Sequence, residues 1–497
     1  MSKNDAERVD NKDDLIKAAG KAAVWDFLGK ISIQLSTFVL SIFLARLLEP
    51  ADFGLLALAM VGIGLSSLLY EAGFPNIIIQ SKSISQEQLS TVFFLNLALG
   101  GLCSGLIFFL APAIAVLFNQ PELSLLVQVL SLLPLLESSK VVHVAMAQRG
   151  LKLHIIALVR FSVSAISLLV ALVLAFRGFG VWSLVVKTYL GSGLAVIVYW
   201  FVSPWRPTRQ YSFASVRNDL RYGATMLGSS AITRIFNQLD TILIGKFFSA
   251  ELLGLFNRAK SLMNLLVKYI SSSISAVYYP LVSRLQDDAQ RLAKMTQLNL
   301  TLISMVLFPV SVLLWLTAPE LISLLYGEKW LPAVKFLRLI LFAVHMSPFA
   351  SILASILAGR GKAQAHLRLE MIKKSLYLVL SVGGYFFADI TGFLVGTVIA
   401  HNLGVSLNVR YAATELEVKS RFLVAGVFWN LFGIVVALAC SFALVAVASG
   451  LPYHKLIQSL LFVCVYGILV ILFHKDLIVT LFEKVRPLQR LRALRRS

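Results

Sequence analysis

Fourteen long apolar runs dominate this 497-residue chain and constrain its fold more than any other feature. Overall, 58% of the residues are hydrophobic and 14% are charged, whereas soluble domains average about 45–50% and about 25%. Each run is close to the roughly 20 residues that an α-helix needs to cross a bilayer. We therefore predict an all-α membrane protein with about 14 transmembrane helices. The predicted spans are 24–45, 53–71, 89–117, 122–142, 155–176, 180–201, 220–244, 252–282, 297–317, 333–357, 369–388, 392–409, 424–448 and 456–473.

Lysine and arginine residues are distributed unevenly between the two sides of this arrangement. Thirty lie in the segments on the side of the N-terminus, when Arg221, Lys373 and Lys374 at the ends of their spans are counted with the adjoining loops, and five lie in the opposite loops. Because cytoplasmic loops are rich in basic residues, we predict that both termini are cytoplasmic. The formal net charge of +20 then reflects topology and contact with anionic membrane lipids, and no nucleic-acid partner is predicted. The N-terminal segment 1–23 and the basic tail 474–497 are the predicted cytoplasmic ends.

The two halves of the chain also resemble each other. Residues 46–55 align with 246–255 at an offset of 200, and three later matches follow in order with offsets of 207, 211 and 212. Six spans in each copy give both copies the same topology, which predicts two parallel repeats about an axis along the membrane normal. We predict an N-lobe over 24–202, a C-lobe over 219–411, and two additional helices over 424–473. Two such bundles facing each other are typical of a transporter with alternating access.

Ionisable side chains inside the spans are candidate functional groups, because each is costly in hydrocarbon. Cations outnumber acids there, and several share one helix face with small polar residues, which favours the wall of a cavity between the lobes. An alternative is that these polar stripes form structural hydrogen bonds between helices. Lys140 and four other cations lie near predicted helix ends, where snorkelling to the headgroups accounts for them equally well. The candidate substrate-binding residues are Lys30, Arg160, Lys187, Arg234, Asn264 and Lys268.

Two acids, Asp26 and Asp240, lie in the first predicted span of each lobe. They are candidates for coupling transport to a proton or sodium gradient. The alternative is that each is a structural partner of a nearby cation, Lys30 for Asp26 and Arg234 for Asp240.

Sequence motifs for catalysis or metal binding are not found. The chain has no P-loop, no H-E-x-x-H motif, no nucleophile elbow and no cysteine pair at metal-ligand spacing. We therefore predict no catalytic residues, no metal and no cofactor.

Three segments of the chain resemble the motifs of a known family. ARLLEPADFG at 45–54, DTILIG at 240–245 and YGEKW at 326–330 are similar to sequences of polysaccharide flippases. These flippases belong to the multidrug/oligosaccharidyl-lipid/polysaccharide exporter superfamily, and the resemblance is to its O-antigen and exopolysaccharide exporters. It implies transport of a polyprenyl-pyrophosphate-linked oligosaccharide across the bacterial cytoplasmic membrane. It also implies a polysaccharide polymerase and chain-length machinery as partners.

Two other functions remain as alternatives. A cation-coupled multidrug exporter of the same superfamily would need acidic residues for cationic drugs, whereas the interior here is rich in cations. A membrane polymerase or ligase of glycans would need a large extracytoplasmic loop with catalytic groups. The longest predicted loop on that side, residues 318–332, is short and poor in such groups.

Overall fold

The computed structural model of the chain describes most of the polypeptide, and the described part is helical apart from short connections. Large parts of three predicted spans, 24–45, 220–244 and 252–282, fall outside this part of the chain, as do residue 345 of the span 333–357 and residue 448 of the span 424–448. The described residues are 38–39, 41–71, 74–81, 83–210, 212, 234–264, 278, 282, 285, 288–344, 346–360, 362–447 and 454–475.

Fourteen α-helices have complete bounds within these ranges. Shorter helical stretches cover 41–47, 234–247 and 250–264. The helices are α1 (Pro50–Glu71), α2 (Phe74–Gln80), α3 (Gln86–Leu117), α4 (Glu122–Leu130), α5 (Leu133–Arg149), α6 (Leu153–Phe176), α7 (Val181–Val202), α8 (Ala289–Leu316), α9 (Ala318–Tyr326), α10 (Ala333–Val344), α11 (Ser347–Gly359), α12 (Ala363–Glu415), α13 (Ser420–Val447) and α14 (His454–Phe473).

The helices confirm the prediction of an all-α membrane protein. Ten stretches of the described chain are long and apolar enough to cross a membrane. The protein is therefore a multi-pass membrane protein, while the division into two six-helix lobes stays a prediction.

Two predicted spans are broken helices. The span 122–142 consists of α4 and α5, and Pro134 lies in the first turn of α5, where a missing N–H is tolerated. The span 333–357 consists of α10 and α11.

The long helix α12 is a hairpin that contains the two predicted spans 369–388 and 392–409. The chain reverses at Asp389, whose φ of 54° is unusual for a residue with a Cβ. The two arms then run antiparallel, with Ser381 Oγ 3.0 Å from Thr397 Oγ1. The two predicted helices therefore exist on either side of this reversal.

The first of two compact units comprises the chain up to Asn257 together with Leu325–Trp330. Within it, α1 crosses the helix 250–264 at very close range. A Cβ on Gly54 would lie 1.7 Å from the Ala250 carbonyl oxygen, and a Cβ on Gly254 would lie 1.8 Å from the Pro50 carbonyl oxygen. Both pairs, 50 with 250 and 54 with 254, are related by the offset of 200. The contact is thus reciprocal in the sequence positions that it joins.

The second compact unit comprises Arg258–Leu324 and the chain from Leu331 onward. Here the two additional helices α13 and α14 dock onto α8. The Asn430 amide of α13 donates to the Thr301 carbonyl at 3.0 Å and to Ser304 Oγ at 2.7 Å. Just beyond α14, His474 Nε2 lies 2.9 Å from Asn430 Oδ1. This buried polar group fixes the register of all three helices.

The contact between His474 and Asn430 should make the docking of α14 sensitive to pH. Because the Asn430 amide nitrogen already donates twice, its oxygen accepts, and the neutral imidazole donates through Nε2. Burial lowers the pKa of His474 below its ordinary value of 6.5. The unfolded chain therefore takes up the proton first, so this contribution to stability is present above about pH 6.5 and is lost below it.

We expect the thermal unfolding temperature of the detergent-purified protein to fall more steeply between pH 7.5 and pH 5 in the wild type than in His474→Gln. Glutamine can donate to Asn430 but does not titrate. The same slope in both proteins would show that His474 does not contribute.

Candidate functional site

A partly open cavity of about 670 Å³ in the first compact unit is lined by residues of α1, α2, α5, α6 and α7. Three cations and one acid line it, together with a larger number of small or hydroxylated residues. The polar and charged lining residues are Tyr70, Glu137, Lys140, Gln148, Arg160, Ser164, Ser167, Lys187, Thr188, Ser192 and Tyr199.

Helical periodicity brings these side chains to one place. On α6, Arg160, Ser164 and Ser167 follow at intervals of four and three residues, so they share one face. On α7, Lys187 and Gly191 line the cavity one turn apart. A Cβ on Gly191 would lie 3.7 Å from Ser167 Oγ, an ordinary van der Waals distance, so this part of α7 packs against α6.

The cations are spread along the depth of the cavity. Helices α6 and α7 are joined by a tight turn at 177–180, in which Gly178 and Gly180 have positive φ. The start of α6 and the end of α7 therefore lie at the same end of the bundle. With a rise of about 1.5 Å per residue, Arg160 lies about 10 Å and Lys187 about 22 Å from that end. An anionic group passing along the cavity can thus contact successive cations.

Neighbouring residues hold these cations within the bundle. Arg160 interacts electrostatically with the buried hydroxyl of Tyr199. Lys140 Nζ forms an ion pair with Glu137 Oε1 at 2.6 Å. Thr188 donates its hydroxyl proton to the Leu184 carbonyl at 2.9 Å, which leaves its oxygen as an acceptor. The lining therefore offers charge for an anion and acceptors for hydroxyl groups.

The structure brings together two of the predicted substrate-binding residues, Arg160 and Lys187, and adds Lys140. From the sequence, Lys140 was not favoured as a ligand, because the apolar run ends at residue 142 and suggested a helix end. The helix α5 continues to Arg149, so Lys140 lies in its middle. The spacing of Glu137 and Lys140 at three residues was the available signal for an internal pair.

The remaining predicted residues do not line this cavity or lie outside the described part of the chain. Arg234 donates to Ser67 Oγ, which places the helix 234–247 against α1. Asp240 lies half-buried on the same stretch, and Asn264 is exposed at the last described residue of its helix. Their roles stay predictions. Asp26, Lys30 and Lys268 are outside the described residues.

Two of the three segments that resemble flippase motifs, 45–54 and 326–330, meet in a separate cluster of the first unit. Arg46 Nε donates to the Leu325 carbonyl at 3.0 Å, and the Trp330 indole donates to the Ala45 carbonyl at 2.8 Å. Lys329 Nζ also lies 3.2 Å from Glu49 Oε1. These contacts join parts of the chain about 280 residues apart. The motifs at 45–54 and 326–330 therefore have a structural role at this junction.

Metal-binding side chains do not cluster in the part of the chain that the structure describes. Among those residues, no group of three or more His, Cys, Asp or Glu side chains could hold a metal ion.

Known proteins that are similar to this chain in sequence or in structure include polysaccharide biosynthesis proteins and a lipid II flippase. The lipopolysaccharide biosynthesis protein WzxC of Escherichia coli (strain K12) is 25% identical over 392 residues, which cover 78% of this chain and 79% of WzxC. The succinoglycan biosynthesis transport protein ExoT of Rhizobium meliloti (strain 1021) is 24% identical and covers 76% of this chain and 75% of ExoT. A solved structure of the lipid II flippase MurJ, in an inward closed conformation, matches 92% of this chain and 99% of that chain. Its TM-score is 0.71 at 15% identity, so this likeness supports the fold.

One family model matches more than half of the chain. It is described as a polysaccharide biosynthesis protein, and the match runs over residues 43–335. This range contains the cavity with Lys140, Arg160 and Lys187, as well as the junction formed by the motifs. The chain therefore belongs to the polysaccharide biosynthesis protein family.

Proposed function

We propose that this protein is a flippase that moves a polyprenyl-pyrophosphate-linked oligosaccharide across the bacterial cytoplasmic membrane for polysaccharide synthesis. The observation that carries the proposal is the cavity of the first unit, which is lined by three cations, Lys140, Arg160 and Lys187, and by one carboxylate among the described residues. A transport function is in keeping with the names of ExoT and MurJ.

A lipid-linked oligosaccharide needs such a cavity because its diphosphate carries charge that hydrocarbon rejects. Lysine and arginine supply counter-charge and charge-assisted hydrogen bonds to phosphate oxygens. Hydroxyl acceptors such as Thr188 suit the sugar hydroxyls, while the polyprenyl chain stays in lipid. The cationic lining would repel the cationic drugs of a multidrug exporter, so the same observation favours the flippase.

The proposal includes an orientation and partners. With both termini in the cytoplasm, the end of the bundle near Arg160 faces the cytoplasm, where lipid-linked oligosaccharides are assembled. The product would then be consumed by a polysaccharide polymerase and chain-length machinery on the opposite side.

Deletion of the gene in its own host, followed by analysis of the lipid extract, tests this function. We expect loss of the polymer and accumulation of a diphosphate-linked oligosaccharide lipid that is protected from reagents acting outside the cell. Complementation with the wild-type gene should reverse both effects. Accumulation of the same lipid in a form accessible from outside would instead indicate a polymerase. Unchanged lipids with increased drug sensitivity would indicate a multidrug exporter.

A further inference from the structure

We propose that Glu137 is an internal counter-ion that competes with the diphosphate of the substrate for Lys140, and so sets the release of the substrate. This inference rests on the proposed flippase function. It concerns one residue that lies outside the three sequence motifs.

The position of Glu137 supports this role. It is the only acid among the described residues that line the cavity, and its Oε1 lies 2.6 Å from Lys140 Nζ. Both side chains are partly exposed to the cavity, with 31% exposure for Glu137 and 18% for Lys140. The pair is therefore accessible to a ligand, unlike a salt bridge sealed in a core.

Charge balance explains what the pair does when the cavity is empty. Three cations that line one cavity of a bilayer-spanning bundle are costly without counter-charge, because each loses part of its hydration. The Glu137 carboxylate compensates Lys140 and leaves a net charge of +2 on the lining. A diphosphate diester carries two negative charges, so its entry makes the loaded cavity neutral.

Binding then places two anions near one ammonium group. The diphosphate can form an ion pair with Lys140 only if the ion pair between Lys140 and Glu137 weakens. The Glu137 carboxylate also repels the phosphate oxygens, and this repulsion is strengthened by the lowered dielectric constant of the cavity. Glu137 therefore weakens binding and speeds release, because it re-forms its ion pair as the substrate leaves. Since a transporter must release what it binds, this weakening favours turnover.

The test measures binding and flipping by the full-length protein in proteoliposomes. The probe is a polyprenyl-diphospho-N-acetylglucosamine, and the corresponding polyprenyl monophosphate sugar serves for comparison. We expect Glu137→Gln to lower the Kd for the diphosphate probe about tenfold and to slow its flipping by a similar factor. The monophosphate carries one charge fewer, so its Kd should fall less.

A second pair in the chain provides a matched control. Glu370 and Lys373 of α12 have the same spacing and are in direct contact, with exposures of 31% and 15%, but they do not line this cavity. Glu370→Gln should leave both Kd values and the flipping rate unchanged.

A double-mutant cycle ties the effect to Lys140. The tightening caused by Glu137→Gln should disappear in a Lys140→Met background, because the contested cation is then absent. A tightening that persists would overturn the proposal, as would weaker or unchanged binding in the single variant. If the glutamine variant folds poorly in circular dichroism melts, Glu137→Ala gives the same test.

The same measurements distinguish an error in the proposed flippase function from an error in the proposed role of Glu137. Wild-type protein that binds the diphosphate probe no better than a neutral glycolipid would refute the proposed function. Normal wild-type binding with no effect of Glu137→Gln would refute only the role of Glu137.

Discussion

Replacing Lys187 with methionine should weaken binding of a polyprenyl-diphospho sugar by about 10- to 100-fold, because a hydrogen bond to a charged group contributes about 1.5–3 kcal/mol. Methionine keeps most of the length and apolar volume of lysine while removing its charge. Combined with Arg160→Met, it should reduce flipping in proteoliposomes below detection. Arg160 and Lys187 lie about 12 Å apart in depth by helix rise, so the two losses should be nearly additive.

The control is Lys152→Met, which removes an exposed cation at the start of α6, outside the cavity. We expect less than a twofold effect from it. If Lys152→Met impaired flipping as strongly as Lys187→Met, general surface charge and not the cavity would govern the substrate. Full flipping by the Arg160→Met, Lys187→Met double variant would show that the substrate takes another route.

The sequence predicts the positions of the helices better than it predicts where they end or which helices contact one another. Apolar runs report which segments enter the bilayer, so α3, α6, α7 and α13 were predicted within a few residues. Hydropathy does not report where a helix ends inside protein. The helix α5 continues past its apolar run, and the first polar residue beyond that run, His143, is fully buried in contact with the rings of Trp200 and Trp205. Because of this extension, Lys140 lies in the middle of α5 and lines the cavity, whereas the apolar run alone predicts a position near a helix end.

For the candidate site, too, the sequence of single helices predicts polar faces but not the contacts between helices. The periodicity of α6 placed Arg160 on a polar face, and Lys187 stood out as a charge within an apolar helix. Which faces of separate helices meet depends on tertiary packing, such as the contact of Gly191 on α7 with Ser167 on α6, and the periodicity of one helix does not report it. A prediction from single helices therefore found two of the three cations, Arg160 and Lys187, while the predicted cavity between the lobes stays a prediction. The structure places them inside the first unit.

The internal repeat was visible as an offset, but its consequence for the structure was not. The offset of 200 related Gly54 to Gly254 and Pro50 to Ala250. Only the structure shows that these four residues touch one another in a reciprocal crossing. A substitution at Gly54 or at Gly254 is therefore expected to disturb the same crossing, because the two close approaches lie side by side.

Gly54→Val should therefore prevent stable assembly of the first unit. A Cβ at this position would lie 1.7 Å from a backbone carbonyl oxygen of the neighbouring helix, and a backbone atom cannot move aside as a side chain can. Overpacking of ordinary cores costs about 1–3 kcal/mol, and we expect a cost at or above the upper end of this range, because two helices must separate along their length.

The measurement is the yield of monodisperse protein and its thermal unfolding temperature in detergent. Gly62→Ala provides the matched control, because Gly62 lies two turns further along α1 and a Cβ there would have no neighbouring atom within 4 Å. This change should leave the protein as stable as the wild type or slightly more stable, since alanine favours a helix over glycine by about 1 kcal/mol. Gly54→Ala and Gly254→Ala should each be strongly destabilising, whereas their combination should cost less than the sum, because the first substitution already separates the helices at the shared crossing. Wild-type stability of Gly54→Ala would show that the crossing is looser than the structure indicates.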